Sequence, residues 1–336
     1  MRQNIKLKKR VDFSQNGKKP RKPLSDEGKP GKYDLRNKLN DLTGKDWLLL
    51  TRSYWESEPS IDDRTAYCHP APFMVRDIEK LIKLFTKEGM VVLDPFAGSG
   101  TTILAALKLK REAIGIDLNP KYKKLTEHRM SEKGLKKFTY VVGDSTKVLS
   151  KVGQVDYIVT SPPYHNILRN NAKGIRHMSG KQYRMGARNG VEIYSDLPND
   201  LGNFEDYNDF IAALKLIMCK AFAVLRPGRY CTMILSDFTV NKKEVCVLAD
   251  VVNVMSAIGF EFCGTTVLLQ PVKPLYPFGY PYAYKINHHH QNMMTFKRPN
   301  DIGHDGLSPF SSADWAASKT SQSGNNISDG LPGARE

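Results

Sequence analysis

The stretch MVVLDPFAGSGTTILAALKLKREAIGIDLN, Met90 to Asn119, decides the fold. It reads as an apolar strand, a glycine-bearing turn, a helix and a second apolar strand. Strands that are apolar without alternation are buried on both faces, as in a parallel sheet covered by helices. Gly98 and Gly100 let the backbone turn tightly and approach a ligand with no Cβ in the way. Thr101 and Thr102 open a helix whose free N–H groups favour a carboxylate or phosphate.

The same alternation continues outward. Upstream, Val75, Ile78, Leu81, Ile82 and Phe85 recur at helical spacing until Lys87-Glu88-Gly89 ends the run. Downstream come a helix over Tyr122–Lys133, a third strand in FTYVVGD and a fourth in VDYIVTSPPY. A long amphipathic helix over Tyr207–Leu225, stopped by Arg226-Pro227-Gly228, leads to a fifth strand in RYCTMILSDF. A helix near Val245–Ile258 follows, and FEFCGTTVLLQP with QNMMTFKR reads as a closing antiparallel pair. The expected fold is α/β, a doubly wound, mostly parallel sheet with an antiparallel C-terminal strand pair.

Four segments subdivide the chain. Residues 1–36 form a basic tail expected to be disordered: positions 1–32 hold eleven Lys/Arg, three acidic residues and few large apolar ones. Residues 37–299 form the folded domain, whose lead-in segment carries Trp47, Leu48, Leu49 and Leu50. Within it, residues 165–203 are a polar insertion far longer than ordinary connections. Residues 300–336 are rich in Ser, Gly and Asn and also expected to be disordered.

Fifty Lys+Arg against 35 Asp+Glu, a formal net charge of +15 over 336 residues, favour a polyanionic partner. No apolar run is long enough to span a bilayer, and the start of the chain lacks a signal-peptide core, so a cytoplasmic location is expected. Cys68, Cys219, Cys231, Cys246 and Cys263 are odd in number and show no CxxC spacing, which indicates reduced thiols rather than a disulfide frame or a zinc site.

Ligands bind beyond the carboxyl ends of the strands in such a sheet. The second strand ends at Asp117, nineteen residues after Gly98, where an acidic side chain accepts both hydroxyls of a ribose. The third ends at Asp144, placed to accept from an adenine amino group. A nicotinamide cofactor would call for glycine at position 103, which is Ile103, and no GK[ST] follows for a nucleotide-phosphate loop.

At these residues the chain resembles the S-adenosylmethionine-dependent amino-methyltransferases of DNA. DPFAGSGTT looks like their cofactor motif and SPPY, Ser161 to Tyr164, like their catalytic motif. HPAPF, His69 to Phe73, is similar to the segment that covers the methionine end of the cofactor, and NDLTGKDW with TRSYW is similar to the lead-in of bacterial and viral members. The resemblance spans about Asn40 to Pro299. It implies that His69, Pro70 and Phe73 flank S-adenosylmethionine, that Asp94, Phe96, Gly98, Gly100 and Thr101 cradle it, and that Asp117 and Asp144 bind its ribose and adenine.

The SPPY turn follows strand four, which neighbours strand one across the switch point. Transfer to an exocyclic amine needs the amine held in line, acceptors for its hydrogens, and a base taken out of its stack. Ser161 Oγ and the Pro162 carbonyl can accept, Pro162 and Pro163 stiffen the turn, and Tyr164 offers an exposed ring as a stacking platform. Within the resembled family a serine at this place goes mainly with cytosine N4, and an acid or amide mainly with adenine N6. C5 methylation of cytosine is excluded, because no Pro-Cys nucleophile is present.

The insertion starts directly after Tyr164 and carries Arg169, Lys173, Arg176, Lys181, Arg184 and Arg188 without an acidic residue up to Gly190, which suits contact with DNA. His288-His289-His290 suits surface or base-proximal polar roles better than a metal, because strand neighbours point to opposite faces. Tyr276, Phe278, Tyr280, Tyr282 and Tyr284 either stack on bases or pack over the sheet edge. The sequence thus leads to a DNA methyltransferase acting on cytosine N4, with adenine N6 second. RNA or protein-glutamine methylation and a catalytically inactive DNA-binding role come after these. DNA is the expected partner; a homodimer and a cognate restriction enzyme are compatible with the sequence but specified by no residue.

Overall fold

The structure is a computed structural model, and it describes residues 31–66, 69, 73–169, 175–178, 181–184, 193–241 and 243–300, with backbone alone at 169, 175–178 and 181–184. The expected tails fall almost wholly outside these residues. The described chain begins with helix α1 (Gly44–Leu50), closed by a capping box between Thr43 and Asp46. Strand β1 (Tyr54–Glu56) and helix α2 (Val75–Phe85) follow, and α2 buries Val75, Ile78, Leu81, Ile82 and Leu84, the stripe its spacing dictates.

Then comes the alternation of β2 (Val91–Asp94), α3 (Thr101–Lys108), β3 (Glu112–Asp117), α4 (Pro120–Glu132), β4 (Thr139–Val142), α5 (Ser145–Val148) and β5 (Val155–Thr160). A hairpin β6 (Ile175–Met178) and β7 (Lys181–Arg184) lies inside the insertion. Helix α6 (Tyr207–Val224) leads into β8 (Leu225–Leu235), and a small hairpin β9 (Phe238–Val240) and β10 (Lys243–Val245) precedes α7 (Val247–Ile258). The long pair β11 (Glu261–Leu269) and β12 (His290–Lys297) closes the sheet.

Eight strands form one sheet in the order β1-β11-β12-β8-β5-β2-β3-β4. Strand β12 alone runs against its neighbours β8 and β11; every other pairing is parallel. Helices cover both faces. One core layer joins α6 and α7 to the sheet through Phe210, Leu214, Met218, Val251 and Met255; the other joins α2 and α3 through Ile78, Ile82, Ile103 and Leu104. All six residues of β5 are buried, which is why it reads as mostly apolar without alternation, Asp156 apart.

The doubly wound expectation holds, with two differences. Strand β8 starts at Leu225 and runs through the Arg226-Pro227-Gly228 stretch read as a helix stop, instead of starting at Arg229. The reason is Arg298, whose guanidinium donates to the carbonyls of Phe222 (2.9 Å), Ala223 (3.2 Å) and Leu225 (2.7 Å), catching the end of α6 and passing the chain directly into the sheet. Gly228 then bulges out at φ +75°, its N–H donating to Arg298 O, and the register against β5 slips between Val155 and Tyr157. Secondly, the lead-in segment ends in β1, which adds an eighth strand by pairing Trp55 with Leu268.

Candidate active site

Strands β2 and β5 are neighbours, and from them the sheet is wound in opposite directions, so their carboxyl ends form the switch point. A fully buried carboxylate ties these ends together. Asp94 accepts from Thr160 Oγ1 at the end of β5 (2.6 Å), from Thr102 Oγ1 in the first turn of α3 (2.6 Å) and from the Phe96 N–H (3.0 Å). Burial raises its pKa, and the three donors act against that rise. Asp94 was expected to cradle a ligand, but it does not line the cleft; it holds the two turns in fixed relation.

The glycine turn needs its glycines for two different reasons. Gly98 sits at φ +47° with the His69 ring over it, so an added Cβ would lie 3.0 Å from Nε2. Gly100 sits at φ +75° against Thr126, where a Cβ would meet Cγ2 at 2.4 Å. The Gly98 N–H donates to Asp117 Oδ2 (2.8 Å), and its carbonyl accepts from Tyr140 Oη (2.8 Å). Buried Arg129 of α4 supports the turn from behind, donating to Ser99 O and Thr101 Oγ1 and reaching Asp62 O (3.2 Å). Gly98, Gly100 and buried Thr101 thus form the floor beneath the cleft, not its lining.

Asp117 and Asp144 do line the cleft, and their electrostatics differ. Burial pushes Asp117 up to about 6, although its oxygens accept from the Gly98 and Asn119 N–H groups. At Asp144 partial burial raises the pKa, but donors outweigh it and the net shift is downward: Thr146 N–H and Oγ1 at Oδ1 (2.8 and 2.7 Å) and Asn199 Nδ2 at Oδ2 (2.9 Å). Phe96, Leu118, Leu201 and Ile217 line the same cleft as the two acids. Two acceptors set around an apolar slot suit a ligand with hydroxyl and amino donors joined through a flat ring.

The Ser161-Pro162-Pro163-Tyr164 turn forms the opposite wall of the same cleft, which encloses about 680 Å³ including its open mouth. Tyr164 differs from the exposed ring expected of it. It is half-buried, its ring nearly parallel to Phe238 (centroids 6.2 Å apart, 14° between planes), and its hydroxyl accepts from Gln291 Nε2 (2.6 Å). Gln291, the second residue of β12, in turn accepts from Gln270 Nε2 (3.1 Å), so the antiparallel pair anchors the ring. His165 follows at φ +45°, 1 % exposed and boxed in by Tyr207, Phe210 and Phe238. Burial lowers its pKa, against the pull of the Asp206 and Glu205 backbone, and favours the neutral imidazole.

The insertion splits in two. Residues 193–203 fold back over the acidic half of the cleft and are not free to serve as a surface loop: Asn119 Nδ2 donates to Tyr194 O (2.7 Å), and the Tyr194 ring lies 5.8 Å from that of His69. Tyr194, Asn199 and Asp200, together with Tyr122, therefore line the cleft without having been foreseen. Their signal was weak, because each lies in a polar stretch with no motif and is brought in only by long-range contacts. Of the basic candidates, Arg176, Lys181 and Arg184 sit on the β6–β7 hairpin and Arg169 on the short turn before it, as backbone positions; Lys173 and Arg188 lie outside the described residues. Pro70 also lies outside them. Phe73 faces a smaller recess of about 250 Å³ with Asp77, Gln270 and Gln291, where burial pushes Asp77 up to about 6. His288 pairs with Glu244 (2.8 Å), and no group of three or more potential metal ligands occurs among the described residues.

A profile of the DNA methylase family of N6/N4 type matches residues 5–128. The chain is 38 % identical over 133 residues to the type II methyltransferase M.BglI of Bacillus subtilis, covering 39 % of this chain and 34 % of that one. It is 37 % identical over 118 residues to M.MjaI of Methanocaldococcus jannaschii (32 % and 37 %), and 53 % identical over 51 residues to M.HindIII of Haemophilus influenzae (15 % and 16 %). The matched segments thus span about a third or less of these relatives. Among solved structures, TrmN from Thermus thermophilus aligns with a TM-score of 0.45 at 15 % identity, over 72 % of this chain and 54 % of that one.

Proposed function

We propose that this chain, whose residues 5–128 match the N6/N4 DNA methylase profile, uses S-adenosylmethionine to methylate an exocyclic amine of a DNA base, the N4 amine of cytosine by preference. The observation that carries the proposal is the shared cleft. Asp117, Asp144 and Phe96 line it together with Ser161 to Tyr164, and Asp94, the last residue of β2, is bonded to Thr160 at the end of β5.

The donor set fits S-adenosylmethionine. Asp117 would hold the ribose hydroxyls, Asp144 would accept from the adenine amino group, and Phe96, Leu118 and Ile217 would enclose the purine, with His69 at the rim. When bound, it supplies a methyl group on a positively charged sulfur, open to direct displacement. The remaining work belongs to the protein. Ser161 Oγ and the Pro162 carbonyl would accept the amine hydrogens, directing the nitrogen lone pair away from the base ring. Pro162 is buried and Pro163 half-buried, so this wall moves little. Tyr164 would stack on the extracted base, its ring held by Phe238 behind and Gln291 at the hydroxyl.

The cytosine preference rests on Ser161, a neutral hydroxyl in a place where an acid or amide would accept more strongly from adenine N6. Incubation with labelled S-adenosylmethionine and duplex DNA, followed by digestion to nucleosides, tests it. N4-methylcytosine is expected. N6-methyladenine alone would refute the base preference, and label confined to RNA or protein would refute the substrate class.

A further inference from the structure

The connection between β11 and β12 does no work in the cleft, yet it is built. It leaves the sheet at the edge where Tyr164 is anchored, since Gln291, the second residue of β12, donates to Tyr164 Oη. Its neck is clamped: Tyr276 N–H donates to Asn287 Oδ1 (3.0 Å), and Asn287 Nδ2 donates back to Tyr276 O (2.8 Å). Gln270 N–H closes the base on His289 O (2.7 Å), and the Tyr276 and Phe278 rings pack at 5.4 Å. The tip turns on Gly279 at φ +76°, with Tyr282 and Ala283 N–H both on its carbonyl; a Cβ there would meet Ala283 O at 2.2 Å.

Beyond this clamp three rings stand in solvent: Tyr280 is 81 % exposed, Tyr282 94 % and Tyr284 91 %. Packing over the sheet edge accounts for Tyr276 and Phe278 but not for these. Three nearly bare aromatics within five residues mark an interaction surface, because each would otherwise leave large apolar area in water. The charge around them selects the partner. Within the loop itself, residues 270–289, Lys273 and Lys285 are present without any Asp or Glu, and the acid that reaches its neck, Glu244, is paired with His288. Aromatic rings flanked by lysines suit nucleic acid, where rings stack on bases and cations meet phosphate.

We infer that the 270–289 loop is a DNA-contacting arm whose Tyr280, Tyr282 and Tyr284 stack on bases unpaired beside the target nucleotide. The inference rests on the DNA-methylating function proposed above and adds to it a second contact surface, independent of the basic insertion. The arm and the catalytic turn share one sheet edge, so a base drawn toward Tyr164 leaves a disrupted step within the arm's reach.

The test is fluorescence anisotropy with a labelled duplex carrying one mismatched cytosine, on the full chain and on a variant combining Tyr280→Ala, Tyr282→Ala and Tyr284→Ala. Affinity should fall at least roughly tenfold, as the loss of base stacking implies, while the slope of log affinity against log salt stays unchanged because no charge is removed. The matching triple Phe variant should restore affinity, since a ring without its hydroxyl still stacks. S-Adenosylmethionine affinity and thermal midpoint serve as controls, and both should match the parent because the rings touch neither core nor cleft. Parent-like DNA affinity in the Ala variant overturns the arm and leaves the proposed function standing. A parent that binds no DNA overturns both. Loss of a dimer in the Ala variant, with DNA affinity per subunit retained, assigns the rings to a second copy and also overturns the arm.

Discussion

The two walls of the cleft are held by opposite means. On the acidic side, Asp94, Asp117 and Asp144 together accept six bonds from the backbone or side chains of nearby turns, at residues 96, 98, 102, 119 and 146. On the SPPY side the ring that matters is fixed by residues far along the chain, Phe238 and Gln291. The first wall takes most of its bonds from nearby sequence, with Thr160 and Asn199 added from afar, and the other is held from the antiparallel end of the sheet. A fault in the first should therefore cost folding and ligand together, whereas a fault in the second should cost turnover alone.

The largest expected effect strikes where both walls meet. Asp94→Ala strands the Thr102 and Thr160 hydroxyls in the core and opens a cavity, at a cost of roughly 3 kcal/mol in a urea titration. A stability within 1 kcal/mol of the parent (roughly the net worth of one ordinary hydrogen bond) would break the comparison at its centre. Next, Tyr164→Ala removes the stacking ring and should lower kcat by about ten- to a hundredfold with S-adenosylmethionine affinity unchanged. A fall in cofactor affinity of the same size would mean that the walls are not separable.

A third test uses pH. The folded-state pKa of Asp117, about 6, lies above the ordinary carboxylate value, so the folded form takes up a proton first as the pH falls. The charged carboxylate is the form that accepts ribose hydroxyls. S-Adenosylmethionine affinity should accordingly be flat above pH 7 and fall roughly tenfold by pH 5, measured by calorimetry. Stability runs the other way: the raised pKa disfavours the folded state above the unfolded pKa, so Asp117 contributes a loss of stability as the pH rises from about 4 to 6. Asp117→Asn should abolish both dependences. The smallest effect belongs to the far anchor. Gln291→Leu should lower kcat by roughly fivefold, about one hydrogen bond, and the Tyr164→Phe, Gln291→Leu pair should be no worse than either change alone.

This contrast also explains which parts were legible in the sequence. The floor of the cleft was readable because Gly98, Gly100 and Asp117 lie within twenty residues and answer to backbone geometry. Asp94 stands at a motif position shared by ligand-touching and strut-forming acids, and its bonds to the threonines at 102 and 160 give it the bonding of a strut. Gln291, Tyr194 and Asn199 carried no local signal, since each reaches the site by a contact of more than fifty residues' separation. The start of β8 was displaced for the same reason, Arg298 lying seventy-three residues beyond the Leu225 carbonyl it holds.

The Asp94 strut has one more implication. It spans a single gap between adjacent strands, a spacing near 4.8 Å that hydrogen bonding imposes on every sheet. In the proposed reaction the reach from donor to acceptor would follow from the pitch of the polypeptide ladder. Had the two turns risen from strands with another between them, that interval would double, and a loop or lid would have to supply what here the weave of the sheet provides.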